Sequence, residues 1–284
     1  MATLLFYQRP VPLNADVHRT ARLGASDGKF SFCSQTNSIP LAAVEFFDAA
    51  REYPIAFTGS EKGPFFPIAL VGVRQNENLL VDAEGRWQGR YVPAFVRRYP
   101  FVLAEKENAD DFNVYLDEAY AGFGAPNGER LFTDQGEHTP LLKQALEFLS
   151  TYQGEIRRTR LFVERLQALD LLVPRVLEVA RSGNAPMVLR GFSVIDEQRL
   201  MSLDDAKLLE LTRSGLLAWA HAHLMSLPNV GRLAELLESR SSAAATPESA
   251  APAPAGAAPA ERAAPGTAKK DRERDSRSKS SKGR

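Results

Sequence analysis

Thr139–Leu169 reads TPLLKQALEFLSTYQGEIRRTRLFVERLQAL, and the fold class turns on this stretch. Threonine followed by proline marks a helix start, because the hydroxyl takes an orphan backbone N–H and proline stands where its missing N–H costs nothing. Behind them Leu142, Ala145, Leu149, Tyr152, Ile156, Thr159, Val163, Leu166 and Leu169 recur at three- and four-residue steps. That is the spacing of one helix face. The expectation is a long helix or helix pair, with Gly154 as a place for an interruption and Pro174 ending or restarting it.

Upstream the pattern shortens to strands broken by turns. Lys29–Cys33 (KFSFC) alternates apolar and polar residues, as a half-buried strand should. Ser38-Ile39-Pro40 reads as a cap with a first-turn proline. Leu41, Val44, Phe47 and Ala50 then predict a short amphipathic helix over Leu41–Glu52, stopped by Tyr53-Pro54. Ile55–Thr58, Phe65–Val73 and Asn78–Asp82 follow as strands. The last turns at Ala83-Glu84-Gly85 and returns through Arg86–Tyr91 as a hairpin. Val92–Tyr99 predicts one or two helical turns closed before Pro100, and Phe101–Ala104 and Phe112–Leu116 are further strands.

Downstream of the long helix, Met187–Ile195 (MVLRGFSVI) is strand-like, and Ser202-Leu203-Asp204-Asp205 offers a capping box. Helices are expected at Leu203–Thr212, Gly215–Ser226 and Val230–Ser239. The reading is an α+β fold. Residues 1–120 are β-rich with short helices, and residues 139–240 are mainly helical with one returning strand.

Of 284 residues, 44% are hydrophobic and 25% charged, the composition of an ordinary globular chain of one or two domains. Lys plus Arg and Asp plus Glu both number 35, which argues against a dedicated nucleic-acid binder. The balance hides an asymmetry. Ser241–Arg284 holds nine basic and five acidic residues, so this segment carries about +4 and residues 1–240 about −4. It contains no aromatic, Leu, Ile or Val, which predicts a globular body over 1–240 and a disordered low-complexity tail over 241–284. Its basic tip from Lys269 predicts at most weak, salt-sensitive association with an anionic polymer. One cysteine, Cys33, excludes an intramolecular disulfide and any cysteine-rich metal cage. No run of about 18 apolar residues predicts a membrane span. The opening MATLLFYQRPVPLN lacks the features of a secretory signal, so a cytoplasmic location is expected.

The segment GRWQGRYVPAFVRRYPF, Gly85–Phe101, resembles the bacterial SapC family. Supporting pieces are Pro40-Leu41 with Glu45-Phe46, Tyr53-Pro54-Ile55-Ala56-Phe57 and Asn78-Leu79-Leu80-Val81-Asp82. Phe192-Ser193-Val194-Ile195-Asp196-Glu197 and His223-Leu224-Met225-Ser226-Leu227 with Asn229 extend the resemblance over roughly residues 4–238. The family name implies a link to surface-layer formation or secretion, and the resemblance brings no catalytic residues with it.

The densest chemistry lies in that same block: Arg86, Trp87, Arg90, Tyr91, Arg97, Arg98 and Tyr99. A guanidinium is a planar fork for carboxylate or phosphate and stacks on aromatic faces. The block therefore predicts a site for an anionic ligand or protein partner, with Arg97 and Arg98 foremost. The bland alternative packs Trp87 and Tyr91 in the core and pairs an arginine with a buried carboxylate.

Other templates fail. No Gly-x-Ser-x-Gly elbow or phosphate loop occurs, and Ala121–Ala125 leads into a turn rather than a helix. His221 and His223 lie about 200° apart on a helix, so no metal site is expected from them. His18 and His138 lack an adjacent carboxylate, and Cys33 has no neighbouring base. No cofactor is called for. The first expectation is a non-enzymatic binding or accessory protein. The alternatives are an enzyme on a small anionic substrate, with Asp196 or Glu197 near the arginines, and a surface-layer or secretion component.

Overall fold

The computed structural model describes residues 5–24, 30–60, 63–105, 112–181 and 184–245. In chain order the elements are β1 (Pro10–Pro12), α1 (Ala15–His18), β2 (Arg22–Leu23), β3 (Ser38–Pro40), α2 (Phe46–Ala49), β4 (Ile55–Thr58) and β5 (Phe66–Leu70). Then come α3 (Ala94–Arg97), β6 (Phe101–Glu105), β7 (Phe112–Asp117), β8 (Glu129–Arg130) and α4 (Pro140–Ala168). The chain closes with β9 (Leu172–Arg181), β10 (Asn184–Ile195), α5 (Glu197–Met201), α6 (Asp205–Arg213), α7 (Leu216–Ser226) and α8 (Val230–Ala245). The fold is α+β.

Antiparallel pairing builds a five-stranded sheet β3-β5-β4-β10-β9, a three-stranded sheet β1-β7-β6 and a two-stranded ribbon β2-β8. One core packs on the larger sheet, with Phe46, Phe57, Phe162 and Trp219 at its centre. A smaller one gathers Leu23, Phe101, Leu116, Leu131, Phe132, Leu142 and Leu149. Helix α4 joins them. At about 1.5 Å per residue it is ~43 Å long, enough to place Leu142 and Leu149 in the small core and Phe162, Val163 and Leu166 in the large one.

The long helix forms as its spacing predicts. Thr139 caps it by accepting from Leu142 N, and Gly154 does not interrupt it. Elsewhere tertiary contacts override local pattern. Ser31–Cys33 is a 3-10 turn rather than part of a strand, the segment closing on itself through Cys33 N to Phe30 O and Ser34 N to Ser31 O; Lys29 lies outside the described residues. Ser38–Pro40 is β3, not a cap. The helix that follows is reduced to a 3-10 turn at Ala43–Glu45 and α2, and it buries Ala43, Phe46 and Ala49 while Val44 and Phe47 are exposed. Its face is thus turned by one residue from the expected one.

Asn78–Asp82 and Arg86–Tyr91 turn back on each other at 83–85 as expected, but the pairing is short: one antiparallel bridge, Val81 with Trp87, flanked by Asp82 N to Arg86 O and Gln88 N to Leu80 O. Beyond it the backbone donors are taken elsewhere: Leu79 N goes to Val71 O, Leu80 N to the Asn78 side chain, and Arg90 N and Tyr91 N to Glu52. The second half carries two strands, not one. Pro174 lies inside β9 opposite Ser193, and a proline is tolerated there because β9 is the sheet edge and has no partner for the missing N–H. Asp204, rather than Ser202, caps α6 by accepting from Lys207 N. Helix α8 carries the folded chain to Ala245, past the expected boundary at 240. The rest of the tail lies outside the described residues. Among the described residues no helix is long and apolar enough to cross a membrane.

Candidate functional site

The Gly85–Phe101 segment is organised by two acids that the sequence pattern did not single out. Glu52, just beyond α2 and 6% exposed, accepts from Arg90 N with both carboxylate oxygens (2.8 Å each) and from Tyr91 N (3.1 Å). Arg232 Nη1 stands 3.6 Å away. Glu45, 5% exposed, accepts from Ala42 N (2.8 Å), from Ala94 N and from the Tyr91 hydroxyl (both 2.7 Å). Burial pushes the Glu45 carboxyl up, while the Ala94 and Ala42 N–H groups, the Tyr91 hydroxyl and the Arg97 charge pull it back. The two carboxylates replace a partner strand. A segment without a ladder finds its donors satisfied by charge-assisted bonds instead.

On that frame the aromatic groups lock the chain. Trp87 Nε1 donates to Tyr91 O at 3.0 Å, and the Tyr53 hydroxyl donates to the same carbonyl. Burial raises the Tyr91 and Tyr53 hydroxyls above the ordinary phenol range, and the nearby carboxylates of Glu45 and Glu52 add to it. Tyr99 stacks on Phe32 with centroids 4.1 Å apart and reaches the buried Asp117 with its hydroxyl at 3.3 Å. Trp87, Tyr91 and Tyr99 are all half-buried and all hydrogen-bonded internally.

The arginines divide. Arg98 faces inward, 9% exposed, with its guanidinium carbon 3.9 Å from the Phe95 ring centroid, 5.6 Å from Tyr152 and 5.8 Å from Tyr7. Desolvation pushes the Tyr7 hydroxyl up to about 12, against the lowering effect of the Arg98 charge. Arg97, the last residue of α3, is exposed. Its Nε donates to Val92 O at 2.9 Å, and its guanidinium lies over the rings of Tyr91 (5.8 Å) and Phe148 (5.3 Å). Among the described residues it has no carboxylate in ion-pair contact. Arg90, seven positions earlier, is exposed, its main chain held by Glu52. Arg86 is spent on Asp82 (2.8 Å) and Glu84 (3.0 Å). Arg97 and Arg98 therefore look in different directions and do not converge on one group.

The acids proposed to face them do other work. Asp196 caps α5 by accepting from Arg199 N at 3.0 Å, and Glu197 is exposed in its first turn. His223 is fully buried on α7, its ring 5.1 Å from that of Phe57, whereas His221 is exposed. Desolvation pushes His223 down to about 3, so it is a neutral core group. Neither of its ring nitrogens has a hydrogen-bond partner of good geometry among the described residues. Cys33 is buried and its thiol is pushed up to about 12 by burial, which makes it inert. Signals for Glu45 and Glu52 were faint: two acids in an apolar stretch, with their partners 38 to 49 positions away.

A family model described as SapC matches residues 13–233, most of the chain. No curated protein and no solved structure matches it.

Proposed function

We propose, for a chain that belongs to the SapC family, a binding protein that recognises a carboxylate- or phosphate-bearing ligand or partner through Arg97. The observation that carries the reading is the state of the Arg97 guanidinium. It is exposed and anchored by Nε on Val92 O, by Nη2 on the Tyr91 hydroxyl and by two rings, with no carboxylate in ion-pair contact among the described residues; Glu45 acts on it from behind the Tyr91 hydroxyl. An anchored fork has already lost much of the rotamer freedom that binding would otherwise remove, which favours a planar anion. Tyr91 lies against it, and Trp87 in turn holds the Tyr91 carbonyl. Glu45 tunes the site. Its carboxyl touches the Tyr91 hydroxyl, which lies 3.5 Å from Arg97 Nη2.

The test compares wild type, Arg97→Ala and Arg98→Ala as full chains. Each is titrated with inorganic phosphate, citrate and a Glu-rich peptide while the arginine Nε–Hε resonances are followed by NMR. The expected result is a saturable shift of the Arg97 signal in wild type. Arg97→Ala should lose the response yet melt within about 2 °C of wild type, as an exposed substitution does. Arg98→Ala should instead lower the melting temperature, losing about 2 kcal/mol of cation–π and packing energy. Binding that persists unchanged in Arg97→Ala would overturn the reading.

A further inference from the structure

Three groups stand in line at Arg97. The buried Glu45 carboxylate accepts the Tyr91 hydroxyl proton at 2.7 Å, and Arg97 Nη2 donates to the same hydroxyl oxygen from the exposed side at 3.5 Å. A tyrosine hydroxyl carries one proton and serves one acceptor at a time. While Glu45 is ionised that proton is held inward, in a charge-assisted bond. An anion arriving at Arg97 then meets the lone pairs of the Tyr91 oxygen and, behind them, a negative charge.

Glu45 is the group of this line that changes its charge in mild acid. Its remaining partners, Ala42 N and Ala94 N, are main-chain donors. Tyr91 and Arg97 face it from the 85–101 segment. From α4 comes Tyr152, whose hydroxyl is raised by burial first and then, against the Arg98 charge, by Glu45. Arg98 itself lies 5.6 Å from the Tyr152 ring. Glu52 stands on the other side of Tyr91, on its main-chain N–H, with Arg232 3.6 Å away. Tyrosines and arginines keep their charge below about pH 8. Burial raises the Glu45 carboxyl, and the Arg97 charge is among the influences that lower it. An anion that neutralises Arg97 removes that influence, so a proton on Glu45 and an anion on Arg97 favour each other.

We propose, resting on the reading of Arg97 as an anion site, that the site takes up one proton with each anion and that Tyr91 is its second donor. The proton comes from solvent and goes to the Glu45 carboxylate. The resulting acid donates to the Tyr91 oxygen, so the hydroxyl proton turns outward and joins Arg97 on the anion. No covalent bond other than that O–H is made, and the complex gains one proton and one anion. The site therefore holds a carboxylate or phosphate more tightly in acid and releases it as the pH rises.

The experiment uses the full chain and sulfate, which stays doubly charged over the range, at constant ionic strength. Isothermal titration should show sulfate bound about tenfold tighter at about pH 5 than at about pH 8. Repeating it in two buffers of different ionisation heat should show net proton uptake on binding. Glu45→Gln, which carries the neutral form at every pH, should lose both the difference and the uptake. The Glu45 carboxyl carbon, followed by NMR, should protonate about one pH unit higher with sulfate than without, the same tenfold read from the other ligand. That measurement needs no variant at Glu45 and decides the matter if Glu45→Gln melts lower. In Arg97→Ala sulfate should leave the Glu45 signal in place. No saturable sulfate binding, or binding retained in Arg97→Ala, would refute the Arg97 reading and this proposal with it. Binding that is lost in Arg97→Ala yet equal at both pH values, or a wild-type Glu45 signal that sulfate does not move, would overturn the proton linkage alone.

Discussion

The imidazole of His223 makes stability depend on acid in a way that can be worked out in advance. The ring is fully buried on α7 against Phe57, and the nearby Ile55 main chain offsets only part of its desolvation. In the unfolded chain a histidine protonates near 6.5, about the ordinary value; in the folded chain burial moves this to about 3. Between those values the unfolded state holds a proton that the native state does not. Stability therefore falls as pH drops, by about 1 kcal/mol per pH unit, or roughly 2–3 kcal/mol between about pH 6 and 4. Glu45 works with the opposite sign. Its carboxyl is raised by burial, so the native state keeps that proton longer and the contribution declines as pH rises above the usual carboxylate range. The difference between wild type and His223→Leu isolates the histidine. Urea unfolding followed by fluorescence of the buried Trp219 should give the variant a shallower acid slope, by about 1 kcal/mol per pH unit. At neutral pH it should match or exceed the wild type, because an imidazole without good hydrogen bonds is costly to bury. Parallel slopes in the two proteins would refute the argument.

Glu52→Ala removes the acceptor of Arg90 N and Tyr91 N and should cost about 2–3 kcal/mol in urea unfolding, the range for bonds to a charged group. A loss below about 0.5 kcal/mol would show that water replaces the carboxylate at no cost. Gly72→Ala places a Cβ against the Glu77 carbonyl and within 3.2 Å of the Asn37 Cα. Overpacking of this kind should cost about 3 kcal/mol, read as a lower melting temperature; a neutral result would mean that the 72–77 loop shifts freely.

The elements legible in the sequence were those whose own periodicity sets their environment. Helix α4 is the clearest, since each residue of the 142–166 face meets a core that any partner would supply. Strands β4, β5, β6 and β7 were also legible because their apolar residues lie close together. Ser31–Cys33 was not: alternation in KFSFC predicts a strand only if a neighbouring strand is there to pair with it. In the Asn78–Tyr91 segment the turn was legible, but its short extent was not, because the Glu52 carboxylate takes Arg90 N and Tyr91 N in place of a continued ladder. The candidate site was half legible. Its arginines and rings are adjacent in sequence, but which guanidinium faces out depends on where Phe95, Tyr152 and Tyr7 stand.

From its residues alone the chain determined its class, its long capped helix, the body–tail asymmetry of charge and the stretch richest in anion-binding groups. All of these are local or additive properties, summed along the chain. Only the tertiary structure decided that Glu45 and Glu52 grip that stretch and that Arg97 points out while Arg98 points in. Each of those depends on contacts between residues far apart in sequence, where burial and charge are set by neighbours that local pattern does not encode.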